Sequence, residues 1–324
     1  MKKIFLAIAI VFMIATVALC LFLDDYDAIY SIRFVTNVSN GVSQSVNLFH
    51  NNGKYYVFLP AYADFNNTTV SHNADYQVYI NGKRLENTCT LSELEIGKDY
   101  ILQIQNRFGI TVCEETIVFS KSSNIPTLSI SLIDGTIDDI HKDKNISKTG
   151  TLSLIKANAE IDYIGAFGSL SGRGNTTWGQ SKKPYNLEFD VETELLGMGA
   201  TKKYCLLANA CDESNLRNKL AYDMAKMMNV TYWIDSEFVD LYVDGVYYGL
   251  YLLTESVEVN KNVVDITNLE ELTTNANQYP LNKMTAFETS VNGIYQKGFK
   301  IPNNPPEITS GYLVEVEMPE RLAD

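Results

Sequence analysis

The sequence predicts a mainly β protein with an α+β part: a small β-sandwich over residues 28–120, then an α+β lobe from residue 125 to residue 324. Three observations carry this reading. Short apolar segments alternate with polar residues and are punctuated by turn dipeptides. Tyr (20) and Phe (14) are plentiful in a chain of 324 residues, which suits pleated, half-buried surfaces. One later stretch, from about Ser214 to Met228, repeats its apolar residues at helical spacing instead.

Residues 1–27 precede the sandwich as a targeting segment. Met1-Lys2-Lys3 is basic, and Ile4 to Leu23 is an apolar run interrupted by Thr16. Such a run is long enough to cross a bilayer core as a helix. Basic residues before it and Asp24-Asp25 after it orient the rest of the chain outward. A cleaved signal peptide and a retained anchor both fit. The expected location is extracellular or at the cell surface, with the membrane as a partner if the segment stays. Cys20 faintly resembles a lipoprotein site, but Leu19 is bulky where a small residue is expected.

In the sandwich, Ile29 to Val35 partly alternates, and Lys54 to Leu59 stops before Pro60. Asn40-Gly41 and Asn52-Gly53 are turn signals. Tyr76 to Ile80 runs into Asn81-Gly82 and then Lys83-Arg84-Leu85, a hairpin with a type I′ signature. Tyr100 to Gln105 and Thr111 to Phe119 complete the set. Nothing here is catalytic in type; a spacer or adhesion module is the expected role. Lys121 to Pro126 is the expected linker. Strands follow at Thr127 to Ile133 and Thr151 to Ile155, with Asp134 to Lys148 between them as a polar loop. Cys89 with Cys113, and Cys205 with Cys211, are local enough for disulfides, and four free buried thiols are the plainer alternative.

Composition excludes some functions. The net charge is −13, from 26 Lys+Arg against 39 Asp+Glu, so a polyanion such as nucleic acid is not an expected partner. The three histidines (His50, His72 and His141) have no Cys or His at ligand spacing, which argues against a zinc or iron site.

The densest segment runs from residue 163 to residue 256. Gly168 to Gly179 holds four glycines around Arg173. Such a turn can bring backbone N–H groups and a bidentate cation to an anion, although it also serves as a plain hairpin bend. It matches neither the Walker spacing nor the dinucleotide fingerprint. After Lys182-Lys183-Pro184, residues Tyr185, Leu187 and Phe189 share one strand face. A lysine entering such a strand beside a glycine turn suits a phosphate grip; a solvated lysine pair at a strand edge is the plainer alternative. Tyr204 to Asn209 is a compact strand. Asp212 or Ser214 then caps a helix whose residues Leu216, Leu220, Ala221, Met224, Met227 and Met228 form one apolar arc. Arg217 falls inside that arc, where a cation either reaches a carboxylate or a ligand phosphate or lays its stem on the apolar surface with its head in water. Glu237 to Val243 and Tyr247 to Leu253 flank Asp244-Gly245 as a second hairpin, ending at Glu255. The order (glycine turn, lysine strand, strand, helix, hairpin, glutamate) is close to that of the small lobe of a protein kinase, without the kinase signatures.

These residues resemble the CotH family of secreted, spore-coat-type atypical kinases. The resemblance is carried by Arg173-Gly174-Asn175-Thr176-Thr177-Trp178, Lys182-Lys183-Pro184-Tyr185, Leu206-Leu207-Ala208-Asn209, Leu216-Arg217-Asn218, Leu241 to Glu255, and Gly311 to Glu317. It implies ATP-dependent phosphorylation of Ser/Thr hydroxyls on secreted or surface proteins, with Mg²⁺ or Mn²⁺. By position it implies Arg173, Asn175, Lys182 and Lys183 on the phosphate side, with Arg217 and Glu255 either as the supporting charge pair or as groups standing behind the phosphate contacts. In the family a later stretch carries the catalytic aspartate and a Trp-Asp-x-Asp type metal segment, neither of which occurs before Asp324. The expectation is therefore a phosphate-gripping half, inactive by itself, either from a longer protein or as a degenerate member. The competing expectation is a non-catalytic surface adhesion protein that uses the kinase-like region as scaffold.

Overall fold

The computed structural model describes residues 25–38, 41–269, 271–272, 286–291, 294–299 and 311–314. The apolar run at residues 4–23 lies outside the described residues, as does Asn40. Among the described residues no helix is long and apolar enough to cross a membrane.

The chain begins with α1 (Asp25–Tyr30) and β1 (Arg33–Asn37). The alternation read across residues 29–35 is thus split: Ala28 and Ile29 are buried from a helix and Phe34 from a strand. Strands β2 (Ser43–Asn47), β3 (Phe49–Asn51), β4 (Lys54–Leu59) and β5 (Thr68–Ser71) come next. They are followed by β6 (Tyr76–Ile80), β7 (Lys83–Leu85), β8 (Asp99–Asn106) and β9 (Thr111–Lys121). One sheet has the order β2-β1-β5 and the other β3-β4-β9-β8-β6-β7. Alternation buries one face of each strand, so Phe34, Val46 and Val70 meet Val57, Leu102, Ile104, Ile117 and Phe119 in one core. At Asn52-Gly53 and Asn81-Gly82 both residues take positive φ, 49° and 75°, then 47° and 77°. That is the type I′ geometry the dipeptides encode.

The second body contains β10 (Thr127–Leu132), α2 (Ile137–Lys142), β11 (Ser147–Ile155), β12 (Ile161–Gly172), β13 (Tyr185–Thr193), β14 (Thr201–Leu207), α3 (Arg217–Met227), β15 (Ser236–Val243) and β16 (Val246–Glu255). Its strands form a closed barrel in the order β10-β11-β12-β13-β14-β16-β15. Closure comes from parallel pairing of β10 with β15, Thr127 opposite Asp240. Tyr185, Leu187 and Phe189 point into the barrel core, on the face their alternation indicates. After the barrel, β17 (Ala286–Val291) and β18 (Ile294–Phe299) pair as a hairpin.

Two expectations need correction. Residues 134–148 are not one loop: α2 forms there, and Asp139 Oδ2 accepts the Thr136 N–H at 3.0 Å, closing the helix start as a capping residue does. Gly168 and Gly172 lie inside β12, so the glycine turn is shorter than read. It begins at Arg173 and holds one 3₁₀ turn, Thr176–Gly179. The thiols of Cys89, Cys113, Cys205 and Cys211 form no disulfide.

The two bodies share buried contacts. Tyr242 of β15 belongs to the sandwich core and donates its hydroxyl to the Phe58 carbonyl at 2.7 Å. Tyr247 stacks on Phe58 with 4.1 Å between ring centroids. The Asn47 N–H donates to the Gly245 carbonyl at 2.8 Å. At Gly245 φ is +82° and a Cβ would meet Asn47 Nδ2 at 3.1 Å, so the hairpin tip approaches β2 as closely as glycine permits. The expected linker is itself tied down, with the Ser122 N–H donating to the Leu59 carbonyl.

Candidate functional site

The site is built where the end of β12, the glycine turn and the start of α3 come together. Arg173 leaves β12 with its N–H on the Pro184 carbonyl at 3.0 Å, and its Nη1 donates to Asn186 Oδ1 at 3.0 Å. Lys182 crosses β16. Its ammonium donates to the Leu250 carbonyl and lies 4.5 Å from the Tyr251 ring centroid. Burial pushes its pKa down, and the Asp240 charge opposes that fall. Arg217 opens α3 with 79% of its side chain exposed and Nε 3.5 Å from Asp212 Oδ1. These three cations line one cleft of about 260 Å³, together with Thr177, Asn209, Asp212 and Asn218.

The N-cap of α3 is Leu216, with no side-chain cap bond, and not the expected Asp212 or Ser214; the turn before it is tied by Asp212. Its Oδ2 accepts the Arg217 N–H at 2.9 Å, and its Oδ1 accepts from the Ser214 N–H and hydroxyl at 3.1 Å and 2.7 Å. Those donors hold its carboxyl below the usual carboxylate range. Asn209, at φ 50°, donates to the Asn215 carbonyl and accepts from Asn218 at 2.9 Å. The strand-to-helix turn is thereby fixed beside the cleft.

The other site residues named from sequence lie off the cleft lining. Lys183 donates to the Trp178 and Gln180 carbonyls at 2.7 Å and 3.0 Å, clamping the 3₁₀ turn from behind. Asn175 Oδ1 accepts from Lys144 at 3.2 Å, and Lys144 also donates to the Gly174 carbonyl at 3.0 Å. Both residues therefore shape the turn. The expected charge pair of Arg217 and Glu255 is absent. Glu255 is 4% exposed and accepts the Asp235 N–H at 2.9 Å; burial pushes its pKa up. It sits opposite Tyr204 at the inner end of β16, whereas Arg217 stands in solvent and takes Asp212 as its carboxylate.

Sequence reading missed Lys144, because it falls in the stretch read as a loop and no spacing ties it to residue 174. It also missed Asn209 and Asn218 as cleft residues, although both lie in quoted motifs. The arc on α3 was read correctly as a set but is not buried. Leu216, Leu220, Met224, Met227 and Met228 are 47%, 54%, 57%, 85% and 71% exposed, while Lys219 and Tyr222 on the other side are partly covered.

Chemically, the cleft offers an anion two guanidiniums and one ammonium, a set that suits a polyphosphate. The fit to a divalent metal is poor. Among the described residues no group of three or more His, Cys, Asp and Glu could hold a metal ion, and the carboxylate of Asp212 is already committed to its own turn. Residues 170–307 match the family model described as CotH kinase protein, so the CotH resemblance read from the motifs holds over that region. No curated protein matches the chain.

Proposed function

We propose that this chain carries the phosphate-gripping part of an exported CotH-type kinase, one that transfers phosphate from ATP to Ser/Thr hydroxyls of secreted or surface proteins. The observation that supports this reading is the meeting of Arg173, Lys182 and Arg217 on one cleft, inside the region matched by the CotH kinase model. Phosphoryl transfer is mostly positioning and charge stabilisation. Arg173, held by Asn186, supplies a fixed planar donor. Lys182 supplies a half-buried point charge. Arg217, exposed and joined to Asp212 by one long contact, is free to turn its guanidinium onto a bound phosphate. Mg²⁺ or Mn²⁺ would shield the phosphate charge when bound. The apolar run at residues 4–23 supports export, with the protein held at the cell surface if the run is retained.

The test is a titration of the full chain with ATP and Mg²⁺ by calorimetry, repeated with ADP and AMP. ATP is expected to bind more tightly than AMP. Lys182→Met and Arg173→Ala are each expected to weaken ATP by about tenfold or more, the size of a lost charged hydrogen bond. Equal ATP affinity in all three proteins would remove the phosphate site.

A further inference from the structure

Asp240 is a buried ionisable group to which the phosphate-site reading gives no role. It sits in β15 at 2% exposure. Its Oδ1 accepts the Tyr247 hydroxyl at 2.8 Å. Its Oδ2 is buried with no hydrogen-bond partner, although the Ser122 side chain also faces the carboxylate. A buried carboxylate with an unsatisfied oxygen is costly unless a cation stands near.

Lys182 is the cation whose field Asp240 feels, and the backbone shows how the two are related. Asp240 pairs with Leu250 across the β15–β16 ladder, and the Lys182 ammonium donates to the carbonyl of that same Leu250. On its way the lysine chain passes beside Gly249, the residue before Leu250. Gly249 takes φ +104°, and a Cβ built there would meet Lys182 Cε at 3.5 Å and Nζ at 3.8 Å. Both charges are therefore anchored on one rung, Lys182 at the cleft and Asp240 beside the contact between barrel and sandwich.

We infer that Asp240 is a positioning residue for Lys182: its carboxylate is the buried counter-charge that keeps the ammonium protonated and laid across β16 at the cleft. The consequence for nucleotide rests on the phosphate-site reading; the shared relation of the two residues to Leu250 does not. Tyr247 and Tyr242 face Asp240 from β16 and β15, and Tyr251 faces Lys182 from β16. Across the cleft stand Arg173, Asp212 and Arg217. Because Tyr247 is stacked on Phe58 of the sandwich, the carboxylate is also fixed by the joint between the two bodies.

The experiment follows Lys182 directly, without nucleotide. Full-length protein is pulsed with acetic anhydride across the alkaline range, and acetylation of Lys182 is read by peptide mass spectrometry. Only the neutral amine reacts, so the midpoint reports its protonation. Burial lowers that midpoint and Asp240 holds it up. Asp240→Asn is expected to move it down by about one pH unit or more, and Asp240→Glu to restore it. The alkaline loss of ATP affinity should move with it. Lys182→Met, a change outside the buried core, reads the same coupling from the other end: the Asp240 carboxyl, followed by ¹³C NMR, should titrate at higher pH than in the unaltered protein. An unmoved Lys182 midpoint in folded Asp240→Asn overturns the inference, as does an unmoved Asp240 titration in Lys182→Met. If both midpoints shift but ATP ignores Lys182, the counter-charge stands and the nucleotide reading fails instead.

Discussion

Strand β13 and helix α3 lie near each other in sequence and carry apolar stripes of similar clarity, yet they end in opposite surroundings. Tyr185, Leu187 and Phe189 are 1%, 0% and 4% exposed. Leu216, Leu220 and Met224 are about half exposed, and Lys219 and Tyr222 turn toward the barrel in their place. Alternation in a strand flanked on both sides leaves one face directed into the closed barrel, so its apolar residues are buried once the sheet forms. A helix packed on the outside of that sheet is free to choose which side it presents. Here the inner side is chosen by polar partners at the helix start, where Asp212, Asn209 and Asn218 bind the turn. Periodicity thus identifies residues that share a face, and packing decides whether anything covers that face.

The sharpest way to separate the two stripes is by truncation. Leu187→Ala should cost about 2–5 kcal/mol of unfolding free energy, as methylene removal from a closed core does, read as a lower urea midpoint. Asp212→Ala comes next. Loss of the Asp212 bonds to Ser214 and the Arg217 N–H should cost about 1 kcal/mol, and circular dichroism should show reduced helix signal while near-ultraviolet signals of the barrel tyrosines persist. Leu220→Ala should change stability by no more than about 0.5 kcal/mol, the usual range for exposed positions. A cost for Leu220→Ala as large as that for Leu187→Ala would break the comparison, because the helix stripe would then have to be covered in solution.

Much of the strand pattern was legible. The turns at Asn52-Gly53, Asn81-Gly82 and Asp244-Gly245 form with positive φ at both residues, because Asn, Asp and Gly tolerate that geometry while most side chains do not. The inward face of β13 followed from its period of two. The short helix α2 was missed because six residues are too few to show a helical period, and its one local signal is the Thr136–Asp139 pair. At the candidate site, Arg173, Lys182 and Arg217 do converge on one cleft, while Lys183 and Asn175 shape its rim and Glu255 is buried elsewhere. Adjacent lysines illustrate why. Lys182 and Lys183 differ by one position, and a single step reverses the side on which each leaves the backbone, so one reaches β16 and the other folds back on the 3₁₀ turn.

The sandwich and barrel are also less independent than a linker of six residues suggests. Tyr242 and Tyr247 are barrel residues by sequence position, yet one is buried in the sandwich core and the other stacks on Phe58.

From its sequence alone this chain determines its strand faces and its tight turns, because those depend on residues within a few positions of each other. Tertiary structure alone decides the closure of β10 on β15, the burial of Glu255 away from Arg217, the outward turn of the α3 stripe and the placing of Asp240 on the Lys182 rung. Each of those depends on pairing between segments far apart in the chain, where no local preference acts and only the packed whole sets the energy.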